Sequence, residues 1–327
     1  RVGDVKWKYE SPGTVYLNES LAIDEKGIIY ASGNKDLVAL DPATGDLIWK
    51  FNAFSADTGP VILNNSIYIR SMLTLICVNK KDGTRAWTYD IDTKNNTEFT
   101  YTPSVLITTG DNFFYSLSTS RSSWNNNYLG SQDVPEKHGY LFSVKKQNRQ
   151  QAWGERGLDF QDGGLHDLSS NGKDLIVFRQ NGAGENSHSS IKGIRPDGRI
   201  VWQVRFQSSL PLHNYSSRIA FDEENFYIST QLTDQNFLYA LKQEDGTQLW
   251  KTKIANHLSP STQIILGNND GFLGTSIGEI ISFNKSTGEI NWKYNASGHI
   301  QATPALDANG LLHFGDSKGI YYVINSI

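Results

Sequence analysis

Short alternating runs of apolar and polar residues, separated by turns rich in Gly, Asn and Asp, follow one another along the whole chain. Stretches such as ALDPATGDLIWKF, CVNKKDGTRAWTY and SFNKSTGEINWKY have the same layout: an apolar strand, a turn with glycine, and a second strand that carries Trp. The Asp-Gly and Thr-Gly pairs supply the backbone geometry that tight hairpins need. Each stretch therefore predicts a two-stranded antiparallel ribbon.

Two further short strands precede each ribbon. PVILNNSIYIRS and PALDANGLLHFGD show them, joined by turns of Asn, Asp and Gly. No segment keeps a helical spacing of apolar residues over several turns. The pattern predicts an all-β chain with four antiparallel strands in each repeat.

Tryptophan marks the repeat. Seven of the eight tryptophans share one frame, and six of the seven have glycine four residues earlier. The tryptophans are Trp7, Trp49, Trp87, Trp153, Trp202, Trp250 and Trp292; the glycines are Gly3, Gly45, Gly83, Gly198, Gly246 and Gly288; Arg149 precedes Trp153. We expect each indole to pack between neighbouring repeats, with its N–H bonded to a carbonyl.

The spacing of these tryptophans predicts a closed ring. The intervals are 42, 38, 66, 49, 48 and 42 residues, and the 35 residues after Trp292 with the seven up to Trp7 make one more repeat of 42. The C-terminal stretch supplies three strands, and GDVKWKYE at the N-terminus supplies the fourth. Closure removes exposed strand edges. The prediction is a single domain, a seven-bladed β-propeller with blades at about 11–52, 55–91, 98–156, 163–206, 212–254, 258–295 and 298–327 plus 1–9.

The repeat LVALDPATGDLIWKF, with an IYIRS-type strand before it, resembles the PQQ-like (quinoprotein) β-propeller repeat of quinoprotein alcohol dehydrogenases and BamB-type outer-membrane assembly lipoproteins. The resemblance covers essentially the whole chain. It implies a cysteine pair and a calcium ion where a quinone is bound, and usually eight blades in both kinds of relative. This chain has one cysteine, Cys77, and seven predicted blades, so we expect no cofactor, and in particular no PQQ with calcium.

Composition narrows the classes of function. Charged residues make up 20% of the chain and the net charge is −4, which gives no positive field for nucleic acid. No apolar run is long enough for a transmembrane helix. The chain begins with Arg1 and its one methionine is Met72, which suggests an exported protein whose signal sequence or anchor has been removed. A closed ring needs no partner to complete a sheet, so we expect a monomer.

Insertions are predicted on one face of the ring. The 66-residue interval holds the polar segment Ser118–Gly139 between its second and third strands, and the next repeat holds Gln180–Ser189 in the same place. Long polar loops on a compact domain are frequently functional. Arg121, Trp124 and His138 in the first segment and His188 in the second are therefore candidate ligand-binding residues. An equally good interpretation of Trp124 is packing within its own loop.

Polar residues also interrupt the repeat near the predicted channel. Glu19, His166 and Asp167 stand at the entry of innermost strands, where other repeats have small residues and proline, and they are candidate catalytic residues. Arg218 has a similar place. Arg70 and Arg179 replace a small residue at the end of the second strand, and with Arg121, Arg156 and Arg205 they could form a local cationic patch that binds a ligand. Guanidinium groups suit carboxylates, although bonding to loop carbonyls explains them as well.

The sequence favours a non-catalytic binding or scaffold propeller outside the cytoplasm, with a protein or glycan partner on the elaborated face. It contains no nucleophile elbow, P-loop, dinucleotide fingerprint or metal-ligand spacing. One alternative is a lyase or glycosidase acting on acidic carbohydrate, with His166 or a loop histidine as acid or base and arginines holding a uronate. Another is a quinoprotein oxidoreductase.

Overall fold

The structure is a computed structural model that describes residues 9, 22–32, 36–53, 59–71, 74–90, 99–100, 106–120, 137–153, 158–160, 165–180, 190–205, 219–232, 235–256, 262–300, 303–307, 310–318 and 320–326. Within these ranges all regular secondary structure is β, in 28 strands. Every strand pair is antiparallel and joins strands that are near neighbours along the chain.

The first four sheets follow the order of the chain. Blade 1 contains β1 (Ala22–Ile23), β2 (Ile29–Ser32), β3 (Asp36–Leu40) and β4 (Leu47–Asn52). Blade 2 contains β5 (Val61–Leu63), β6 (Ser66–Ser71), β7 (Thr74–Asn79) and β8 (Arg85–Asp90). Blade 3 contains β9 (Phe99–Thr100), β10 (Ile107–Thr109), β11 (Asn112–Ser120), β12 (Lys137–Lys145) and β13 (Leu158–Phe160). Blade 4 contains β14 (Leu165–Ser170), β15 (Ile176–Gln180), β16 (Ser190–Ile194) and β17 (Ile200–Arg205).

The remaining three sheets complete the set. Blade 5 contains β18 (Ala220–Phe221), β19 (Asn225–Leu232), β20 (Gln235–Lys242) and β21 (Gln248–Asn256). Blade 6 contains β22 (Ile265–Leu266), β23 (Asp270–Gly274), β24 (Glu279–Asn284) and β25 (Ile290–Asn295). Blade 7 contains β26 (Ala305–Leu306), β27 (Leu311–Gly315) and β28 (Tyr321–Asn325). The predicted all-β, seven-bladed propeller is confirmed.

Blade 3 departs from the simple four-strand pattern. Its first strand is split into β9 and β10, which both pair with β11. Its fourth strand is also interrupted: Gln151 forms one isolated bridge with Val144, and β13 pairs further along the nine-residue β12. Trp153 therefore lies outside any strand, between the Gln151 bridge and β13. The predicted end of the blade was residue 156, and β13 starts two residues beyond it.

Apolar cores lie between adjacent blades. The core between blades 1 and 2, for example, joins Tyr30 and Trp49 to Ile67 and Val78. Five further clusters join blades 2 and 3, 3 and 4, 4 and 5, 5 and 6, and 6 and 7. Because both faces of each sheet are covered, the second and third strands are apolar on both faces, whereas the fourth strands alternate and are more exposed.

The tryptophans link each blade to the next. The indole N–H of Trp49 donates to the Lys80 carbonyl at 3.0 Å, and that of Trp250 donates to the Lys285 carbonyl at 2.8 Å. The pairs Trp153 with Pro196 and Trp202 with Gln243 repeat this bond. In each case the acceptor lies in the turn between the third and fourth strands of the following blade. The predicted role of these four indoles is confirmed.

Arg149 takes the place of the turn glycine in blade 3. Its φ is 61°, and its N–H donates to the Lys145 carbonyl at 2.9 Å, as the N–H of Gly83 does to Asn79 in blade 2. The Arg149 guanidinium lies over the ring of Trp87, 5.7 Å from its centroid. The turn thus keeps its backbone conformation. The Arg149 guanidinium packs on Trp87 of the preceding blade, at the position where other blades have glycine.

Ring closure by the N-terminal strand rests on residues 1–8, which lie outside the described part. Tyr9, two residues after Trp7, packs against Ala31, Val38 and Leu40 on the face of blade 1 that is turned away from blade 2. The equivalent residue of blade 1, Phe51, packs in the same way on blade 2. This contact agrees with closure, which stays a prediction.

Candidate functional site

The two ends of the propeller differ. Connections between second and third strands lie at one end, which we call the insertion face; turns between first and second and between third and fourth strands lie at the other, the turn face. The β11–β12 hairpin extends to the pair Ser120 and Lys137, and β15–β16 to Gln180 and Ser190. Both predicted insertions therefore stand on the insertion face, on adjacent blades.

Buried polar side chains concentrate at the insertion face. They lie in the half of second strands nearer the insertion face or at the start of third strands: Ser32, Asp36, Arg70, Ser71, Ser116, Arg179, Gln180, Ser190, Ser229, Thr230, Asn236 and Thr275. The carboxylate of Asp36 is paired with Lys50 at 2.7 Å. Because these polar side chains interrupt strands that are otherwise apolar, their concentration makes this end of the propeller the candidate site.

Two of these residues are arginines in equivalent positions. Arg70 and Arg179 are each 1% exposed and occupy the last part of β6 and β15. Side chains two apart on a strand share a face, so Arg70 points towards blade 3, as Tyr68 does, and Arg179 points towards blade 5, as Val177 does. Ser32, Ser116 and Ser229 hold this position in blades 1, 3 and 5.

Arg70 acts electrostatically on Tyr115 of the neighbouring blade. Burial raises the pKa of the Tyr115 hydroxyl well above its ordinary value, while the positive charge of Arg70 acts in the opposite direction. Tyr115 is 0% exposed. The interface between blades 2 and 3 therefore holds a guanidinium and a neutral phenol within electrostatic range of each other.

The register of blade 4 brings a second pair of candidates together. His166 on β14 is the direct partner of Arg179 on β15. The register then shifts between His166 and Ser169, which places Asp167 at a β-bulge. Bulges redirect side chains and are common beside functional sites. The sequence proposed these residues separately, and the strand pairing makes His166 and Arg179 neighbours.

Of the other predicted site residues, the structure describes only His138 and Arg205. His138 lies on β12 opposite Thr119. Glu19, Arg121, Trp124, Arg156, His188 and Arg218 lie outside the described residues. Their roles, and an acid–base role for His166 and Asp167, stay predictions.

Sequence reasoning missed the buried polar residues of blade 5. Thr230 and Asn236 are both 0% exposed, and the Asn236 amide makes no hydrogen bond to any residue that the structure describes. They stand at the insertion end of β19 and β20, beside the blade that carries Arg179. A polar residue in an otherwise apolar strand interior is the signal that would have found them.

The described residues give no metal centre. No three His, Cys, Asp or Glu side chains come together among them as potential ligands. Cys77 is buried on β7, and burial raises the pKa of its thiol, so it lacks the thiolate character of a reactive cysteine. The part of the chain that the structure describes also holds no helix that could cross a membrane.

Comparison with known families identifies the chain. The family model PQQ_2, described as "Outer membrane protein assembly factor BamB", matches residues 1–122 and 187–326. The chain belongs to this family. The unmatched segment, 123–186, contains most of the first insertion and the first strand of blade 4, including His166. The two buried arginines fall on different sides of this boundary, with Arg70 inside the match and Arg179 outside it.

Solved structures of PQQ-like propellers share the fold. BamB from Moraxella catarrhalis aligns over 98% of this chain and 88% of its own, with a TM-score of 0.64 and 14% identity. Quinohemoprotein alcohol dehydrogenase from Comamonas testosteroni aligns over 94% of this chain and 62% of its own, with a TM-score of 0.58 and 12% identity. At these identities the likeness shows the fold alone.

One curated relative is similar in sequence. A polyvinylalcohol dehydrogenase from Pseudomonas sp is 22% identical over 291 residues, which cover 80% of this chain. The chain spans 41% of the length of that relative.

Proposed function

We propose that this PQQ_2 family member is a non-catalytic, extracytoplasmic propeller that binds a protein or glycan partner through its insertion face. The observation that carries the proposal is the pair Arg70 and Arg179. Both are buried guanidinium groups at a position that is serine in three other blades, and both stand at the end where the two insertions lie.

The chemistry of the pair favours an anionic group on the partner. Arginine is always charged and presents a planar fork that matches carboxylate and sulfate oxygens. Charge interactions are stronger in a buried setting than on an open surface. A carboxylate from an acidic protein segment or from a uronate would match the guanidinium geometry at the insertion face.

The family description supports a protein partner. It names an assembly factor of the outer membrane, whose work requires contact with other proteins. An extracytoplasmic location is proposed for this chain on the same ground. Closed propellers of this kind commonly bind partners through loops at one face, which agrees with insertions on blades 3 and 4.

The test replaces both arginines by the serine that the chain itself uses in blades 1, 3 and 5. Immobilised Arg70→Ser/Arg179→Ser protein is compared with the wild type for capture of envelope proteins, quantified by mass spectrometry, and for binding to a glycan array. We expect at least a tenfold loss of every specific interaction. Lys81→Ser removes an exposed cation from the turn face and serves as control. Equal capture by wild type and the double variant would refute the proposal.

A second candidate is an oxidoreductase, which the similarity to polyvinylalcohol dehydrogenase favours. The described residues fit a quinone site poorly, because they hold one buried cysteine and no acidic cluster for a calcium ion. Incubation with pyrroloquinoline quinone, calcium and polyvinyl alcohol decides between the two functions. Dye reduction dependent on the quinone would establish the oxidoreductase, and its absence at saturating quinone would leave the binding function.

A further inference from the structure

Three connections interlock on the insertion face of blades 6 and 7. They are residues 275–279, 296–300 and 316–320, of which 319 is not described, and we call them the blade 6–7 platform. The N–H of Ala296 donates to the Gly278 carbonyl at 2.8 Å, and the N–H of Ser317 donates to the His299 carbonyl at 2.8 Å. His299 also contacts the Ser276 carbonyl through Nδ1. The middle connection thus binds the two outer ones together.

Close backbone contacts hold the platform in one conformation. Gly278 has a φ of 91°, and a β-carbon there would lie 2.3 Å from the carbonyl oxygen of Gly298. A β-carbon on Gly298 would lie 2.8 Å from the Ser317 hydroxyl. A larger residue at Gly278 would have to displace the backbone, and one at Gly298 would crowd the Ser317 hydroxyl and the Lys318 N–H, so the surface is preorganised for contact.

The acidic groups of the platform are used internally. The Asp316 carboxylate accepts hydrogen bonds from the N–H groups of Gly298 and Lys318 at 2.8 and 2.9 Å. It also accepts from the N–H of Ile320 and the hydroxyl of Tyr322. Glu279 is paired with Lys293 at 3.4 Å. The Asp316 carboxylate is therefore fully used inside the platform, and the charge of Glu279 is offset by Lys293.

The exposed side chains of the platform include two isoleucines and one lysine, beside Ser297, His299 and Ser317. Ile277 is 53% exposed and Ile320 is 42% exposed, and both belong to connections that contact His299. The ammonium of Lys318 stands in the same connection as Ile320 and is also exposed. Exposed branched apolar residues on a rigid surface are typical of protein contact sites.

We infer that the blade 6–7 platform docks an apolar segment of a protein partner that carries an acidic side chain beside its apolar residues. The apolar residues of the partner segment would cover Ile277 and Ile320, and the Lys318 ammonium would pair with the acidic side chain of that segment. This inference rests on the proposed function and adds the contact surface and the class of partner segment. It favours a protein over a glycan, because sugar rings do not match a pair of exposed isoleucines.

The experiment uses two labelled synthetic ten-residue peptides with the same central Leu, Val and Phe residues, flanked by Asp in one and by Lys in the other. Fluorescence anisotropy measures their affinity for the intact chain. We expect the Asp-flanked peptide to bind at least tenfold more tightly than the Lys-flanked one. Ile277→Ser/Ile320→Ser should weaken it at least tenfold, and Lys318→Glu should remove the preference for Asp.

Ile200→Ser is the matched control, because Ile200 is 47% exposed on the outer strand of blade 4, away from the platform. Its affinity should equal that of the wild type. No binding of either peptide, or equal binding by the double isoleucine variant, would overturn the inference. If the arginine double variant loses partner capture while the isoleucine variant binds peptide normally, the platform fails and the proposed function stands. If instead the isoleucine variant loses peptide binding while the arginine double variant captures partners normally, the platform is supported and the arginine site is refuted.

Discussion

Gly83 of blade 2 lies against the indole of Trp49 of blade 1 so closely that a β-carbon on the glycine would stand 2.6 Å from Cε3. The Trp49 N–H donates to the Lys80 carbonyl three residues earlier in the same turn. Gly246 and Gly288 meet Trp202 and Trp250 in the same way. At these three junctions one tryptophan and one glycine thus determine how neighbouring blades pack.

Substitution of Gly83 by alanine should destabilise the propeller strongly. The glycine has a φ of 71°, and the added methyl group would collide with Trp49. Overpacking and the unfavourable backbone together predict a loss of about 2 to 4 kcal/mol in the free energy of unfolding. Gly110→Ala is the control, because Gly110 has a φ of 51° and nothing within 4 Å. Urea unfolding measures both, and equal losses would argue against the tryptophan contact.

At position 149, alanine should be less favourable than glycine, the reverse of the order in the middle of a strand. Arg149 has a positive φ and lies over Trp87. Arg149→Ala loses the cation–π contact and keeps the strained backbone, whereas Arg149→Gly relieves the strain. We expect the free energy of unfolding of Arg149→Gly to exceed that of Arg149→Ala by about 1 kcal/mol. Exposed Arg85 on β8 is the control, where alanine should be the better residue.

Ring closure predicts that Trp7 matters as much as an internal tryptophan. If the N-terminal strand completes blade 7, Trp7→Ala and Trp49→Ala should each lower the free energy of unfolding by about 3 to 5 kcal/mol. Thermal and urea unfolding compare the two variants. A loss below about 0.5 kcal/mol for Trp7→Ala, the range of an ordinary surface position, would contradict closure.

Acid should weaken the junction between blades 1 and 2 through Asp24. Burial raises the pKa of the Asp24 carboxyl, but hydrogen bonds from the Lys26 and Ile28 N–H groups, Tyr30 and Lys80 together lower it below its ordinary value. A lowered pKa in the folded state gives stability that is present above the ordinary value and lost as pH falls towards the folded value.

The acid effect is measured as Tm from about pH 2.5 to 6, a range that spans the ordinary carboxyl pKa. Tyr30→Phe removes the 3.1 Å bond to Asp24 and should make the Tm less dependent on acid. Tyr227→Phe removes the equivalent 2.7 Å bond to Asp222 in blade 5 and should leave the Asp24 contribution unchanged. Parallel Tm curves for the wild type and Tyr30→Phe would show that Asp24 is not the group responsible.

The sequence by itself determined the fold, because the features that specify it are local and repeated. Glycine at the turn and tryptophan four residues later mark each hairpin, and the spacing of the tryptophans gives the number of blades. The exception at Trp153 was visible as Arg149, but the interrupted fourth strand of blade 3 was not. That interruption depends on β12 being long enough to pair with two separate segments.

Only the tertiary structure decided which polar residues share a site. Strand register made His166 the partner of Arg179, and the alternation of side chains turned Arg70 towards Tyr115. Thr230, Asn236 and the platform residues Ile277 and Ile320 carry no motif, and their significance comes from burial or exposure. These properties depend on which blades and loops lie beside each other, and contacts between residues far apart in the chain are not encoded in any local pattern.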